Sequence, residues 1–174
     1  MPEFAIRRAK PADAVTLSRL GEATFRETFL EDFAIPYPAD DMAAFVSASY
    51  SVAAFQAMLT DPAQAIWLAQ GVGDAAAYCV VGPCGLPHPE ASRTHGELKR
   101  LYVARDHQGA GLGRALFDLA LEELALWDGP SWLGVWSGNL KAQRFYAHAG
   151  YAKAGEYYFA VGRWRDHEFI FRRN

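Results

Sequence analysis

Gln108-Gly109-Ala110-Gly111-Leu112-Gly113-Arg114 lies between a strand-like run, Glu97 to Val103, and the start of a long amphipathic helix. Three glycines in five positions let backbone come close to a ligand. The free N–H groups of the first helical turn then form an anion site, assisted by the helix dipole. A tight strand-to-helix turn that needs glycine is the plainer alternative. Two familiar phosphate motifs do not fit. A Walker loop needs Gly-Lys-Ser/Thr, but Gly113 is followed by Arg114 and Ala115. A dinucleotide fingerprint needs a further glycine where Arg114 stands.

Working outward, the helix is predicted from about Gly111 to Trp127. Leu112, Leu116, Leu119 and Ala120 face inward, and Arg114, Asp118 and Glu122 line the opposite side. Asp128-Gly129-Pro130 ends it. Residues 132–136 then read as a buried strand, 139–148 as a helix closed by Gly150, and 151–160 and 163–172 as the last two strands. Upstream, residues 4–8 read as a short strand and a helix runs from about Pro11 to Leu30. Shorter helices start near Asp40 and Ser51, both good caps. Residues 64–70 and 75–81 form a hairpin around Gly71-Val72-Gly73-Asp74, and 82–95, with its glycines and prolines, is a loop. The order β, helices, ββ, β, α, β, α, ββ gives an α/β, mixed α+β class: one domain over 1–174 with one central mixed sheet.

The 108–114 segment matches the Q/R-x-x-G-x-G/A signature of the GNAT superfamily of N-acetyltransferases. Residues 97–103 are similar to the strand that precedes that signature. Asn139-Leu140-Lys141-Ala142-Gln143-Arg144-Phe145-Tyr146, followed by Ala149-Gly150-Tyr151, resembles the family's second motif, N-x-x-A-x-x-F-Y and then G-F/Y. Residues 24–29 and the 156–161 tail look most like the bacterial polyamine-type (PaiA-like) subgroup. The resemblance implies a mostly antiparallel sheet with helices on both faces. It also implies acetyl-CoA as cosubstrate, lying where two parallel strands, 97–103 and 132–136, splay apart. Backbone along Leu101, Tyr102 and Val103 would pair with the pantetheine arm as an added strand does. The pyrophosphate would rest on N–H groups of Gln108, Gly109, Ala110, Gly111, Leu112, Gly113 and Arg114. Asn139 would contact the arm and Ala142 would flank the nucleotide end, with Arg144 or Lys141 able to meet the 3′-phosphate.

The implied chemistry is amine attack on a thioester, which needs a proton acceptor, a donor for the oxyanion and a proton for the departing thiolate. The resemblance makes Tyr146 the general acid and the Val103 N–H the oxyanion donor. Glu97, at the start of its strand, is the candidate base, directly or through water, with a plain edge-strand carboxylate as the competing reading. The acceptor is a small-molecule primary amine. Glu22, Glu27, Glu31, Asp32, Asp40 and Asp41, interleaved with Phe25, Phe29, Phe33 and Tyr37, suit a cation such as a polyamine. A solvated helix face beside core aromatics reads equally well there. A protein or peptide acceptor and a non-catalytic acyl-CoA sensor are the alternatives.

Composition bounds the rest. The chain has 174 residues and a net charge of −3, with 51% hydrophobic and 21% charged residues, so it can bury a core without metal or disulfide staples. The mildly acidic balance argues against nucleic acid as a partner. No apolar run approaches the ~20 residues of a membrane span, and Met1 to Arg8 lacks the layout of a secretory signal. A cytoplasmic protein is expected, and a homodimer is allowed. Cys79 and Cys84 are expected to be a buried thiol and a loop thiol rather than a disulfide. The five histidines show no metal-ligand spacing, so no metal is expected.

Overall fold

Residues 75–83, Ala-Ala-Ala-Tyr-Cys-Val-Val-Gly-Pro, are apolar at almost every position because both faces of their strand are covered. A computed structural model describes residues 4–174; Met1 to Glu3, part of the stretch read against a secretory signal, lie outside the described residues. The strands are β1 (Ala5–Arg8), β2 (Ala65–Gln70), β3 (Ala75–Pro83), β4 (Gly96–Val103), β5 (Ser131–Trp136), β6 (Ala152–Val161) and β7 (Trp164–Arg173). They form one sheet in the order β1-β2-β3-β4-β5-β7-β6. Neighbours are antiparallel except β4 and β5, which run parallel.

On one face, Tyr78 and Val80 pack with Leu17, Leu20, Phe25, Val46 and Phe55 from α1 (Ala14–Phe25), α2 (Ala39–Tyr50) and α3 (Val52–Thr60). On the other, Ala77, Cys79 and Val81 meet Leu112, Leu116 and Phe117 of α4 (Leu112–Leu124), with α5 (Leu140–His148) beside it. Period-two alternation thus feeds two cores from one strand. Phe117, fully buried, takes the place predicted for Leu119, which is only half-buried. Phe117 also supports the α5 aromatics, at 5.0 Å from Phe145 and 5.7 Å from Tyr146 between ring centroids. Phe117→Ala is expected to cost ~3–5 kcal/mol, read as a lower urea midpoint at unchanged slope.

Several boundaries differ from the sequence expectation. The first helix opens with a 3₁₀ turn, Pro11–Asp13, and after Phe25 widens into a π-helical stretch, Arg26–Asp32. Thr24 bonds back to the Leu20 and Gly21 carbonyls at 2.9 and 3.2 Å, an arrangement that bends helices. Helix α4 stops at Leu124 rather than Trp127. Residues 39–60 come nearest in length and composition to a membrane span. Extended backbone at Ser51 (φ −65°, ψ 159°) splits them into helices of 12 and 9 residues, ~18 and ~14 Å long.

The 82–95 loop is tied down. Cys84, expected as a loop thiol, is buried against Trp132 and Ile170, and both cysteines are free. The Cys84 N–H donates to His95 C=O at 2.9 Å, and Trp132 Nε1–H donates to His95 Nδ1 at 3.1 Å. His88 lies against Trp132 and reaches Ala154 C=O at 3.2 Å.

Candidate active site

Strands β4 and β5 pair only at Glu97 with Trp132 and Leu98 with Leu133, and then part. The gap opens into a cavity of about 310 Å³ whose walls include Glu97, Leu101, Tyr102, Asn139, Ala142 and Tyr146. Beyond it, the Ala104 N–H donates to Ala76 C=O at 2.8 Å across the β3 side. Strand alternation therefore turns the N–H and C=O of Val103, and of Leu101 two residues earlier, toward the open edge. Gln108 Nε2 donates to Val103 C=O at 3.3 Å, so its side chain braces that edge and leaves only its backbone for an anion.

Gly109 and Gly111 have φ of +80° and +81°, left-handed backbone that favours glycine, and a β-carbon at either would meet nothing within 4 Å. Gly111 precedes α4 with no side-chain cap, so orphan N–H groups of the first turn remain exposed to a ligand. Leu112 is buried and contributes backbone alone, while Arg114 is paired with Asp118 at 2.8 Å. Gly113 is the link to β4: a β-carbon there would lie 3.5 Å from Val103 Cγ2. Val103 and residues 108–114 are not among the cavity's walls; the uncapped glycine loop follows the open strand edge in the chain and touches it through Gly113 and Val103.

On α5 the sequence places its own cap. Asn139 Oδ1 accepts the Ala142 N–H at 3.0 Å, which fixes the amide beside the gap. One turn beyond Ala142 is Tyr146, whose ring packs on Phe117 and Tyr151. Burial, with Tyr151 and Cys79 nearby, pushes its phenol above the ordinary tyrosine value. It is therefore protonated at neutral pH and able to donate.

The acetyltransferase (GNAT) family model matches residues 23–151. The chain belongs to the GNAT family of acetyltransferases. It is 32% identical over 135 residues to an uncharacterized N-acetyltransferase of Mycobacterium bovis, covering 77% of this chain and 82% of that one. It is 28% identical over 152 residues to another from Lactobacillus delbrueckii subsp. lactis, covering 87% and 88%. Among solved structures it shares its fold with PaiA N-acetyltransferase from Thermoplasma acidophilum in complex with coenzyme A (TM-score 0.74, 16% identity, 99% of each chain). The chain is thus an acetyl-CoA-dependent N-acetyltransferase.

The acceptor end of this acetyltransferase differs from the sequence expectation. None of the six carboxylates between Glu22 and Asp41 lines the cavity. Arg105 gathers three of them: its N–H donates to Glu27 Oε2 at 3.0 Å, and its guanidinium reaches Glu31 at 2.7 Å and Asp32 at 2.8 Å. Glu22 pairs with Arg26 and Asp41 with Arg163, while Asp40 is exposed. The aromatics fare better, since Phe25, Phe29 and Tyr37 are walls, joined by Phe45 and Tyr50. Phe33 instead stacks on Trp136 at 4.5 Å.

Glu97 lines the cavity, but its Oε2 accepts the Gly85 N–H at 2.8 Å and Lys99 Nζ at 3.2 Å, clamping the 82–95 loop to β4. Two other acidic groups were missed in the sequence, Asp166 and Glu168 of β7, both at the cavity wall. Their i, i+2 spacing puts them on one face of a strand whose other face carries Phe169 and Phe171. That alternation was the available signal. Asp166 is buried and held: Tyr37 Oη donates to Oδ2 at 2.5 Å and Trp164 Nε1 to Oδ1 at 2.9 Å.

Proposed function

We propose that this acetyltransferase moves the acetyl group directly onto the primary amine of a small cation, polyamines being the first class to test. The carrying observation is the acceptor wall, five aromatic rings beside Asp166 and Glu168. Rings and carboxylates together favour an ammonium, through cation–π attraction and charge. Two cations also line the cavity. Lys99 is paired with Glu97, and Arg100 lies over Tyr50 at 4.4 Å and donates to Ser49 C=O at 3.1 Å. The 82–95 loop packed across Trp132 supports a small acceptor over a peptide in an open groove.

In this reading Leu101 and Val103 pair with the pantetheine arm, N–H groups between Gln108 and Arg114 hold the pyrophosphate, and Asn139 steadies the arm beside Ala142. Tyr146 protonates the departing thiolate, and the Val103 N–H stabilises the oxyanion. Neither cysteine takes part: burial pushes the Cys79 thiol up to about 12, far from a thiolate at neutral pH.

A thiol-release assay with acetyl-CoA over polyamines, amino acids, aminoglycosides and N-terminal peptides tests the reading. The highest kcat/KM is expected for a di- or polyamine. A neutral amine, an anionic amine or a peptide as the best acceptor would overturn it.

A further inference from the structure

We infer that Glu168 is the carboxylate that holds the acceptor's ammonium and takes its proton. The inference rests on the small-cation reading above and gives it a catalytic base. Gly134 is the first β5 residue beyond the last β4–β5 pair, so it marks the apex of the gap. A β-carbon at Gly134 would lie 3.1 Å from Tyr157 Oη and 3.7 Å from Glu168 Oε2. The glycine thus leaves room for these two polar groups at the point where the strands part.

Glu168 differs from the other acidic groups of the cavity in having, among the described residues, no hydrogen bond or ion pair of its own. Glu97 holds Lys99 and the Gly85 N–H; Asp166 holds Tyr37 and Trp164. What acts on Glu168 is burial and the charge of Asp166, which push it up to about 8. The charged and titratable groups around it are Asp166 on its own strand, Tyr157 on β6, Tyr37 before α2, and on β4 Tyr102 and Arg100, whose guanidinium lies over the Tyr50 ring. Among the described residues Glu168 forms no ion pair with any of them, so an ammonium entering from the gap would be its partner. A carboxyl titrating near the working pH is also suited to general-base catalysis.

The proton balance closes. Glu168 takes one proton from R–NH3+, and the freed lone pair attacks the thioester carbonyl. The C–N bond forms and the C–S bond breaks. Tyr146 gives its proton to the thiolate and regains one from the new amide nitrogen, and Glu168 returns its proton to solvent. One amide, one thiol and one proton result.

Glu168→Gln keeps size and removes the charge. With spermidine as probe, kcat/KM is expected to fall by ~10²–10⁴, while the acetyl-CoA-induced rise in Tm is kept. In the wild type kcat/KM is expected to climb with pH through an inflection near 8; in Glu168→Gln only the amine's own ionisation should remain. Stability supplies a readout independent of turnover. A carboxyl raised from the ordinary glutamate value of 4.5 to about 8 binds its proton more tightly in the folded state, so its contribution is lost as pH rises through that window. Glu168→Gln should therefore gain in Tm over the wild type toward pH 8. An active wild type with Glu168→Gln within threefold of it, or an inflection lost in Glu97→Gln and kept in Glu168→Gln, would overturn the inference alone. A wild type that acetylates no amine would overturn the small-cation reading and the inference with it.

Discussion

Tyr146→Phe is expected to lower kcat by ~10²–10⁴, or ~2.7–5.5 kcal/mol of transition-state stabilisation, with acetyl-CoA affinity nearly unchanged. The change removes one oxygen and keeps the ring, so the contacts with Phe117, Phe145 and Tyr151 survive. Because the phenol is raised above its ordinary value, the acid form persists through neutral and mildly alkaline pH, and no loss of kcat from this group should appear below about pH 10. Turnover within threefold of the wild type, in a variant that binds acetyl-CoA normally, would leave Tyr146 a packing residue. Loss of acetyl-CoA binding together with turnover would mean that the hydroxyl serves the ground state rather than the transition state.

Gly111→Asp is expected to abolish the stabilisation that acetyl-CoA confers. A ligand at a hundred times its Kd adds ~2.7 kcal/mol, which for a chain of this size is a Tm rise of roughly 5–11 °C. The fold itself should tolerate the change. A β-carbon at Gly111 meets nothing within 4 Å, and left-handed backbone costs an aspartate only ~1–2 kcal/mol. The new carboxylate would stand at an uncapped helix N-terminus, where the pyrophosphate is proposed to bind, and repel it. Gly111→Ala separates the two effects, since it carries the backbone strain without the charge. A Tm rise of wild-type size in folded Gly111→Asp would remove the phosphates from this loop.

Much of the half proposed to hold the cosubstrate could be read along the chain as local structure because its physics is local. Left-handed positions at 109 and 111 ask for glycine, and Asn139 caps the helix that it begins. Tyr146 stands one turn beyond Ala142 on that helix, and the apolar stripe of α4 repeats every three or four residues. Each of these signals lies within a few residues of the structure it specifies, so the strand, the loop and both helices fell close to their observed positions. The boundaries that slipped were ones that packing or back-bonding decides: the π-helical widening after Phe25, the early end of α4 at Leu124, and the choice of Phe117 over Leu119 for the core.

The acceptor half was a different matter. Charge type was visible in the sequence, but charge pairing is decided by partners far away in the chain. Arg105, more than seventy residues from the acidic run, takes up Glu27, Glu31 and Asp32. The Gly85 N–H and Lys99 occupy Glu97. Asp166 and Glu168 reach the cavity because β7 inserts between β5 and β6, a sheet order that no local pattern encodes. The sequence by itself determined the elements and the glycine loop proposed to seat the cosubstrate, because hydrophobic period, glycine conformation and helix capping act over one or two turns. Only the tertiary structure decided which carboxylates face the cavity, because neutralisation and burial depend on what the fold brings alongside them.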